Sequence, residues 1–263
     1  MVQKVAKDSE GNEFAELSKE FGEFFGLSLR GNFREDDSFE FSYYYPYFCG
    51  TKISTTEQVD IEKHAEKESY AGICDEVRLG VTLIFYLQNV PDYLAVKNNK
   101  FYLNQPAGVI LGALSTEGKI LLPINKDEKK QQITEQNKQD RNSLIAEARK
   151  GNEDAIENLT LEDIDTYSLL SRRVQREDIL SIVDSYFMPY GIESDQYSVL
   201  GEIMDWRLLQ NEYTEENVYA LDLMCNEMEF CVCINQKDLL GEPAVGRRFK
   251  GNIWLQGSVK YQE

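Results

Sequence analysis

The chain has 263 residues, of which 42% are hydrophobic and 28% are charged, a balance that supplies a core and argues against general disorder. Its 46 acidic residues against 28 lysines and arginines give a formal charge of -18, which disfavours nucleic acid and anionic membranes as partners. Its five cysteines follow no disulfide spacing, and no stretch approaches the ~20 apolar residues that span a bilayer, so we expect a cytoplasmic protein with reduced thiols.

The first pattern is amphipathic, with apolar residues at three- and four-residue steps. These residues are Phe14, Leu17, Phe21 and Phe24. Their spacing predicts a helix over 13–25. Beyond Gly26, apolar and polar residues alternate over 27–33 and 38–48, which predicts a β-hairpin around an acidic turn at Glu35.

The next segment, 81–87, is apolar on every side and suits either a buried helix or a buried strand. We favour a helix over 75–91, because Asp75 and Glu76 are typical of a first helical turn. A second hairpin is predicted from 109–114 and 119–124, on either side of a turn.

A polar stretch at 126–141 has little apolar surface, so we interpret it as a solvated linker or an exposed helix. Helical patterns follow at 144–148, at 155–159, from Thr160 with a Thr-x-x-Asp capping box, and at 176–184. The remainder predicts strands at 197–209, 218–225, 229–235 and 251–261.

Together these elements predict an α+β fold with three parts. We expect an N-terminal mixed domain of helix and β-hairpins at 1–125, and a charged linker and helical connector at 126–190. A small antiparallel β-barrel, with the topology of an oligonucleotide-binding (OB) barrel, is expected at 191–263.

Four long runs carry a family resemblance. They are EKHAEKESYAGICDEVRLG, SLIAEARKGNEDAIENLTLEDIDTYSLLSRR, IVDSYFMPYGIESDQYSVLGEI and VGRRFKGNIWLQG. Together they make most of the chain similar to a family of clostridial proteins catalogued as domain of unknown function 3881. The resemblance implies a bacterial cytoplasmic protein and brings no activity, cofactor or catalytic residue with it. From the resemblance we also expect family members to start with an additional short segment before the first helix, one that is missing here.

One candidate site surrounds the single histidine, His64. An extended backbone would place Glu62, Glu66 and Glu68 on the same face, where the four side chains suit a metal or a general base. Because zinc and non-haem iron sites commonly need two imidazoles or several thiolates, we favour a solvated surface and expect neither a metal nor another cofactor.

A second candidate site is basic and aromatic. Lys237, Arg247, Arg248 and Lys250 precede Trp254, a combination that suits an anion, a nucleotide or single-stranded nucleic acid. The alternative, which the acidic surroundings favour, is that these cations neutralise nearby carboxylates such as Glu242 or dock against the rest of the chain.

Two further clusters have an ordinary structural explanation. Cys231 and Cys233 point to one side of a strand and Cys225 belongs to the strand before it, but free cysteines commonly pack as small apolar residues. The aromatic run at 43–48 suits a sugar or peptide groove, and suits equally a strand buried on both sides.

The sequence contains no G-x-x-x-x-G-K-[ST], G-x-G-x-x-G, H-E-x-x-H or G-x-S-x-G motif, and it leaves open whether the protein is an enzyme. We predict a non-enzymatic binding or scaffold protein that has a protein partner or associates with itself. The alternatives are a metal-dependent or carboxylate-based hydrolase that uses His64 and the neighbouring glutamates, and an OB-like module that binds single-stranded nucleic acid or another anion.

Overall fold

A computed structural model describes residues 2–8, 10–64, 68–98, 106–124, 143–144, 147–148, 151–159 and 179–261. The strands are β1 (Val2–Lys7), β2 (Glu13–Gly22), β3 (Phe25–Phe33), β4 (Phe39–Phe48), β5 (Val59–Lys63), β6 (Tyr70–Glu76), β7 (Val81–Leu87), β8 (Pro106–Leu121), β9 (Tyr186–Pro189), β10 (Gln196–Gln210), β11 (Asn217–Cys225), β12 (Met228–Asn235), β13 (Leu239–Leu240) and β14 (Arg248–Tyr261). The helices are α1 (Val90–Asn98), α2 (Ile179–Ile182) and a 3-10 turn (Gln236–Asp238), and residues 153–159 are also helical.

The predicted α+β class is wrong, because the described part of the chain is mostly β and its strands form two sheets. The smaller sheet has the antiparallel order β1-β2-β3-β4. The larger sheet contains the strands from β5 onward, and strands of both outer predicted domains share it. The domain boundaries themselves stay a prediction.

The predicted helix over 13–25 is strand β2, which pairs with β1 and β3. Phe14, Ala15 and Glu16 are all buried in succession, so both faces of the strand are covered at this end. Burial on both faces hides the two-residue alternation, and the phenylalanine spacing then imitates a helix. The hairpin predicted from 27–33 and 38–48 is confirmed by the antiparallel pair β3 and β4.

The helix predicted over 75–91 is also wrong, since it covers the end of β6, a turn and the whole of β7. Gly80 has φ +69°, a left-handed conformation that glycine adopts without strain, and the chain reverses there. Leu83, Phe85 and Leu87 alternate into the core. Residues 81–87 therefore form a buried strand. The apolar pattern suited either a buried helix or a buried strand, and the structure has the strand.

Strand β8 replaces the hairpin predicted at 109–124. It runs unbroken beside β14 from end to end, and Ser115 and Glu117 pair with successive residues of β14. Thr116 between them is the extra residue of a β-bulge, which bends the strand without reversing it.

The predicted OB-like C-terminal barrel is wrong as a separate unit. The four predicted C-terminal strands exist as β10, β11, β12 and β14, but β8, from the predicted N-terminal domain, lies between β12 and β14 and closes a ring of five paired strands. The end of β14 then continues the sheet through β7, β6 and β5. The barrel prediction is wrong because local sequence patterns indicate where strands lie but not which strands pair. The strand that closes the ring, β8, comes from a distant part of the sequence.

The predicted helical connector is not a defining part of this β-rich fold. Residues 153–159 are helical, in the region where a short helix is expected, and α2 lies within the predicted helix at 176–184. The linker at 126–141 and the capping box at Thr160 lie outside the described residues.

Two apolar clusters fill the fold. The main core occupies the inside of the ring and continues under β6 and β7. A second, smaller core packs the turn between β2 and β3 onto the outer face of β11 and β12, and it contains Phe25, Phe48 and Cys231. Each fully buried Phe or Leu side chain contributes about 1.5–3 kcal/mol to folding.

A buried arginine joins the two sheets. Arg30 of β3 is fully buried, and its Nε donates to Glu16 Oε2 of β2 at 2.7 Å. Its Nη2 donates to the carbonyl of Gln88 (2.6 Å), and its Nη1 to the Tyr86 hydroxyl (3.0 Å). Burial alone would lower the pKa of Arg30, but the hydroxyl of Tyr45 and the carboxylate of Glu16 raise it well above its usual value.

Candidate functional site

A cleft with a volume of about 930 Å³ lies where connections of the small sheet meet the end of β5. Its lining comes from three stretches: the β1–β2 connection, the β3–β4 connection with the strand ends beside it, and the residues around the β5–β6 turn. The charged lining residues are Asp8, Glu10, Glu13, Arg34, Glu35, Glu40, Lys63 and Glu68. Six carboxylates thus face two cations, and we call this feature the acidic cleft.

Asp8 shapes one wall of the acidic cleft. Its Oδ1 accepts from the backbone N–H groups of Glu10 (2.9 Å) and Asn12 (2.8 Å), and its Oδ2 accepts from Asn32 Nδ2 (3.0 Å). Burial tends to raise the pKa of Asp8, but the bonds from Asn12, Glu10 and Asn32 outweigh it and lower that pKa. Asp8 is therefore a turn-forming carboxylate whose bonding capacity is used by the fold.

Two carboxylates of the cleft are paired with its two cations. Arg34 Nη2 lies 2.9 Å from Glu40 Oε1 with both side chains more than half exposed, and Lys63 pairs with Glu68. Glu10, Glu13 and Glu35 are exposed, and their carboxylates have no partner among the residues that the structure describes. Within the described residues, these are the three cleft carboxylates that neither an ion pair nor a turn engages.

The described members of the predicted histidine site lie on both sides of a chain reversal. Strand β5 ends at Lys63, which pairs with Tyr70 of β6, so the chain reverses between them. His64 is exposed, and its backbone N–H donates to the Ser69 carbonyl at 2.9 Å. Glu68 lies on the returning side, in the acidic cleft.

The other members of that candidate site add no ligand set. Glu62 is exposed on β5, and Glu66 lies outside the described residues. In the described part of the chain, no three His, Cys, Asp or Glu side chains are arranged to hold a metal ion. A catalytic role for His64 and its neighbours stays a prediction.

The predicted basic site is engaged in internal contacts. Lys237 Nζ lies 2.5 Å from Glu216 Oε1, and Arg247 Nη1 donates to the carbonyl of Glu242 at 2.8 Å. Arg248 is buried, and its guanidinium donates to the carbonyls of Leu122 (3.1 Å) and Val183 (2.9 Å). Burial lowers the pKa of Arg248.

The last two members of the basic site lie on β14. Lys250 stands directly opposite Lys119 of β8. Trp254 Nε1 donates to Asp195 Oδ2 at 2.7 Å, and its ring lies 5.3 Å from the ring of Tyr86. Binding by the predicted set of five residues stays a prediction.

The three C-terminal cysteines do not meet. Cys225 lies in the main core, whereas Cys231 and Cys233 lie in the smaller core. Burial raises the pKa of the Cys231 thiol to about 11 and that of Cys233 to about 12, so both are protonated at neutral pH.

The aromatic run at 43–48 is divided between the core and the surface. Tyr45 and Phe48 are buried, whereas Tyr44 is 62% exposed. The Tyr43 and Tyr45 hydroxyls both accept from Arg30. The buried members of the run therefore contribute to packing, whereas Tyr44 stays at the surface.

These features define a β-rich protein with an acidic cleft and without a described catalytic constellation. The family model described as "Domain of unknown function, E. rectale Gene description (DUF3881)" matches residues 1–257, and the chain belongs to this family. No curated protein and no solved structure matches the chain. Among the described helices, none has the length and apolar character that crossing a membrane requires.

Sequence reasoning missed most of the acidic cleft. It singled out the acidic turn at Glu35 and the charge of Glu68, but gave no role to Glu10 or Glu13. The acidic turns themselves were a visible signal. Whether these acidic turns line one cleft depends on how the small sheet lies against β5, and local sequence patterns do not indicate that.

Proposed function

We propose that this chain is a non-enzymatic cytoplasmic binding protein whose acidic cleft receives a basic segment of a protein partner. The observation that carries the proposal is the excess of six carboxylates over two cations around one cleft of about 930 Å³. The formal charge of -18 adds a long-range field of the same sign, which speeds the approach of a cationic partner.

The chemistry of the lining favours binding over catalysis. Glu10, Glu13 and Glu35 are exposed. Glu10 and Glu35 lie on connections between strands, where binding residues are commonly found, and Glu13 is the first residue of β2. The described cysteines form no disulfide, as is usual for cytoplasmic proteins.

A charge-removal experiment tests the proposal. A fluorescein-labelled octalysine peptide is titrated with the wild type and with the triple variant Glu10→Gln, Glu13→Gln, Glu35→Gln, and binding is followed by anisotropy. Three exposed ion pairs of about 0.5 kcal/mol each predict about tenfold weaker binding. The affinity of the wild type is expected to fall steeply with added salt.

Because the whole protein is acidic, the control must remove the same charge elsewhere. The variant Glu153→Gln, Glu157→Gln, Glu193→Gln changes three exposed glutamates outside the cleft. It is expected to bind the peptide within about twofold of the wild type. Equal weakening in both triple variants would show attraction by net charge alone and would overturn the cleft as the site.

A further inference from the structure

A second, smaller pocket lies away from the acidic cleft, beside the bulge of β8. Its volume is about 200 Å³, and its lining includes Thr116, Glu117, Tyr190, Gln196, Asn252 and Trp254. It shares no lining residue with the acidic cleft. We call it the aromatic pocket.

The β-bulge at Thr116 helps to form this pocket. Asn252 pairs with Glu117 and Ile253 pairs with Ser115, so Thr116 has no partner on β14. A bulge turns neighbouring side chains away from the regular pleat, and bulges are frequent beside binding sites. Here Thr116 and Glu117 line the pocket with Asn252 and Trp254.

Trp254 is held in place from two sides. Its indole N–H is used by Asp195 (2.7 Å), and its ring contacts that of Tyr86 (5.3 Å between ring centres). Since the N–H is occupied, the aromatic surface is what the indole offers to a ligand. Tyr190, which is 47% exposed, adds a second aromatic side chain to the lining.

Polar groups flank the two aromatic residues. Asn252 Nδ2 donates to Glu117 Oε1 at 3.0 Å, which leaves Glu117 Oε2 and Asn252 Oδ1 as acceptors with no described partner. The Gln196 amide also lines the pocket. The one charged side chain in the lining is a carboxylate, so the pocket offers acceptors to hydroxyl groups and no cation to a phosphate.

We propose that the aromatic pocket binds one neutral sugar ring, with its C–H face on Trp254 and Tyr190 and its hydroxyls donating to Glu117 and Asn252. The volume is below the roughly 300–1000 Å³ of pockets for drug-sized ligands, which suits a single ring. Aromatic side chains that are already fixed bind with little loss of conformational entropy.

The two tryptophans of the chain, Trp206 and Trp254, give a direct reporter. In the variant Trp206→Phe, all indole emission comes from Trp254. The full chain with this substitution is titrated with glucose, galactose, mannose and N-acetylglucosamine, and with adenosine for comparison. At least one sugar is expected to give a saturable change in Trp254 emission at millimolar concentrations.

Two further substitutions in the Trp206→Phe background separate binding from folding. Tyr190→Ala and Glu117→Gln alter exposed side chains, and each is expected to weaken sugar binding by about fivefold while the thermal midpoint is retained. Tyr213→Ala is the matched control, an exposed tyrosine outside the pocket lining.

The outcomes distinguish the proposal from its competitors. Saturation by a sugar that both pocket variants weaken and Tyr213→Ala does not weaken supports it. No saturable response to any of the four sugars, a response to adenosine alone, or an unchanged response in Tyr190→Ala and Glu117→Gln overturns it. None of these outcomes depends on the acidic cleft.

Discussion

At the scale of single residues, a buried ion pair between Glu76 and Arg78 connects separate turns of the chain. Glu76 is fully buried, and Arg78 donates to both of its carboxylate oxygens at 2.7 Å. Arg78 also donates to the carbonyls of Ser54 and Glu227, so one ion pair connects three separate turns. Such a pair fixes geometry, and its removal leaves a half-buried cation without its carboxylate.

The pH dependence of stability is expected to report on Glu76. Burial alone would raise the pKa of Glu76, but hydrogen bonds from Arg78 and Thr55 hold it below its ordinary value of 4.5. A lowered folded-state pKa stabilises the protein above the unfolded-state value, and the benefit is lost as the pH falls through the folded-state pKa. Urea unfolding from about pH 7 to about pH 3 should show the gap between wild type and Glu76→Gln closing in acid.

The exposed substitution Glu157→Gln controls for the loss of one negative charge. A gap between wild type and Glu76→Gln that stays constant over the whole pH range would contradict a role for the charged form of Glu76.

At the scale of elements, β8 depends on close backbone contact. A Cβ added at Gly112 would lie 2.3 Å from the carbonyl oxygen of Phe48 and 2.9 Å from the Gly50 nitrogen. Both neighbours are backbone atoms that cannot rotate away. Glycine at position 112 is therefore what lets the end of β4 lie against β8.

The substitution Gly112→Ala is expected to lower the free energy of unfolding by about 1–3 kcal/mol, because backbone must shift to admit the methyl group. Lys119→Ala on the same strand removes a half-exposed side chain and should cost less than about 0.5 kcal/mol. Urea midpoints of the two variants measure the difference. Equal midpoints would show that β4 and β8 separate without cost.

The strands also differ in how well the sequence predicts them. Strands β3, β4, β10, β11 and β12 were predictable because their alternation or their turns are visible locally. Strand β2 was not, because burial of Phe14, Ala15 and Glu16 erases the alternation. The ring closure by β8 and the acidic cleft depend on contacts between residues far apart in sequence, which periodicity does not contain.

At the scale of the whole molecule, polar side chains hold the two sheets together. Arg30 and Glu16 belong to the small sheet, and Arg30 also donates to the carbonyls of Leu87, the last residue of β7 in the large sheet, and of Gln88, which follows it. Gln256 of β14 continues the contact, accepting from the Phe48 N–H and donating to the Pro46 carbonyl. Loss of either charge at the centre should therefore affect the whole fold.

Replacing Glu16 by Gln leaves the fully buried guanidinium of Arg30 without its carboxylate and is expected to cost about 3–5 kcal/mol of unfolding free energy. The matched control is Glu40→Gln, which breaks the exposed pair with Arg34 and should cost no more than about 1 kcal/mol. Guanidinium unfolding monitored by circular dichroism measures both. A Glu16→Gln variant as stable as Glu40→Gln would contradict the central role of this pair.

Strand β14 has one further consequence, which concerns biosynthesis. It is the last described strand, yet it pairs with β8, β10 and β7. While the ribosome is still translating residues before 248, those three strands have already been made. Their backbone N–H and C=O groups that will pair with β14 have no partner strand at that stage. The nascent chain therefore has to avoid misassociation at these unpaired edges until β14 emerges, and the large sheet is completed only after β14 has been made.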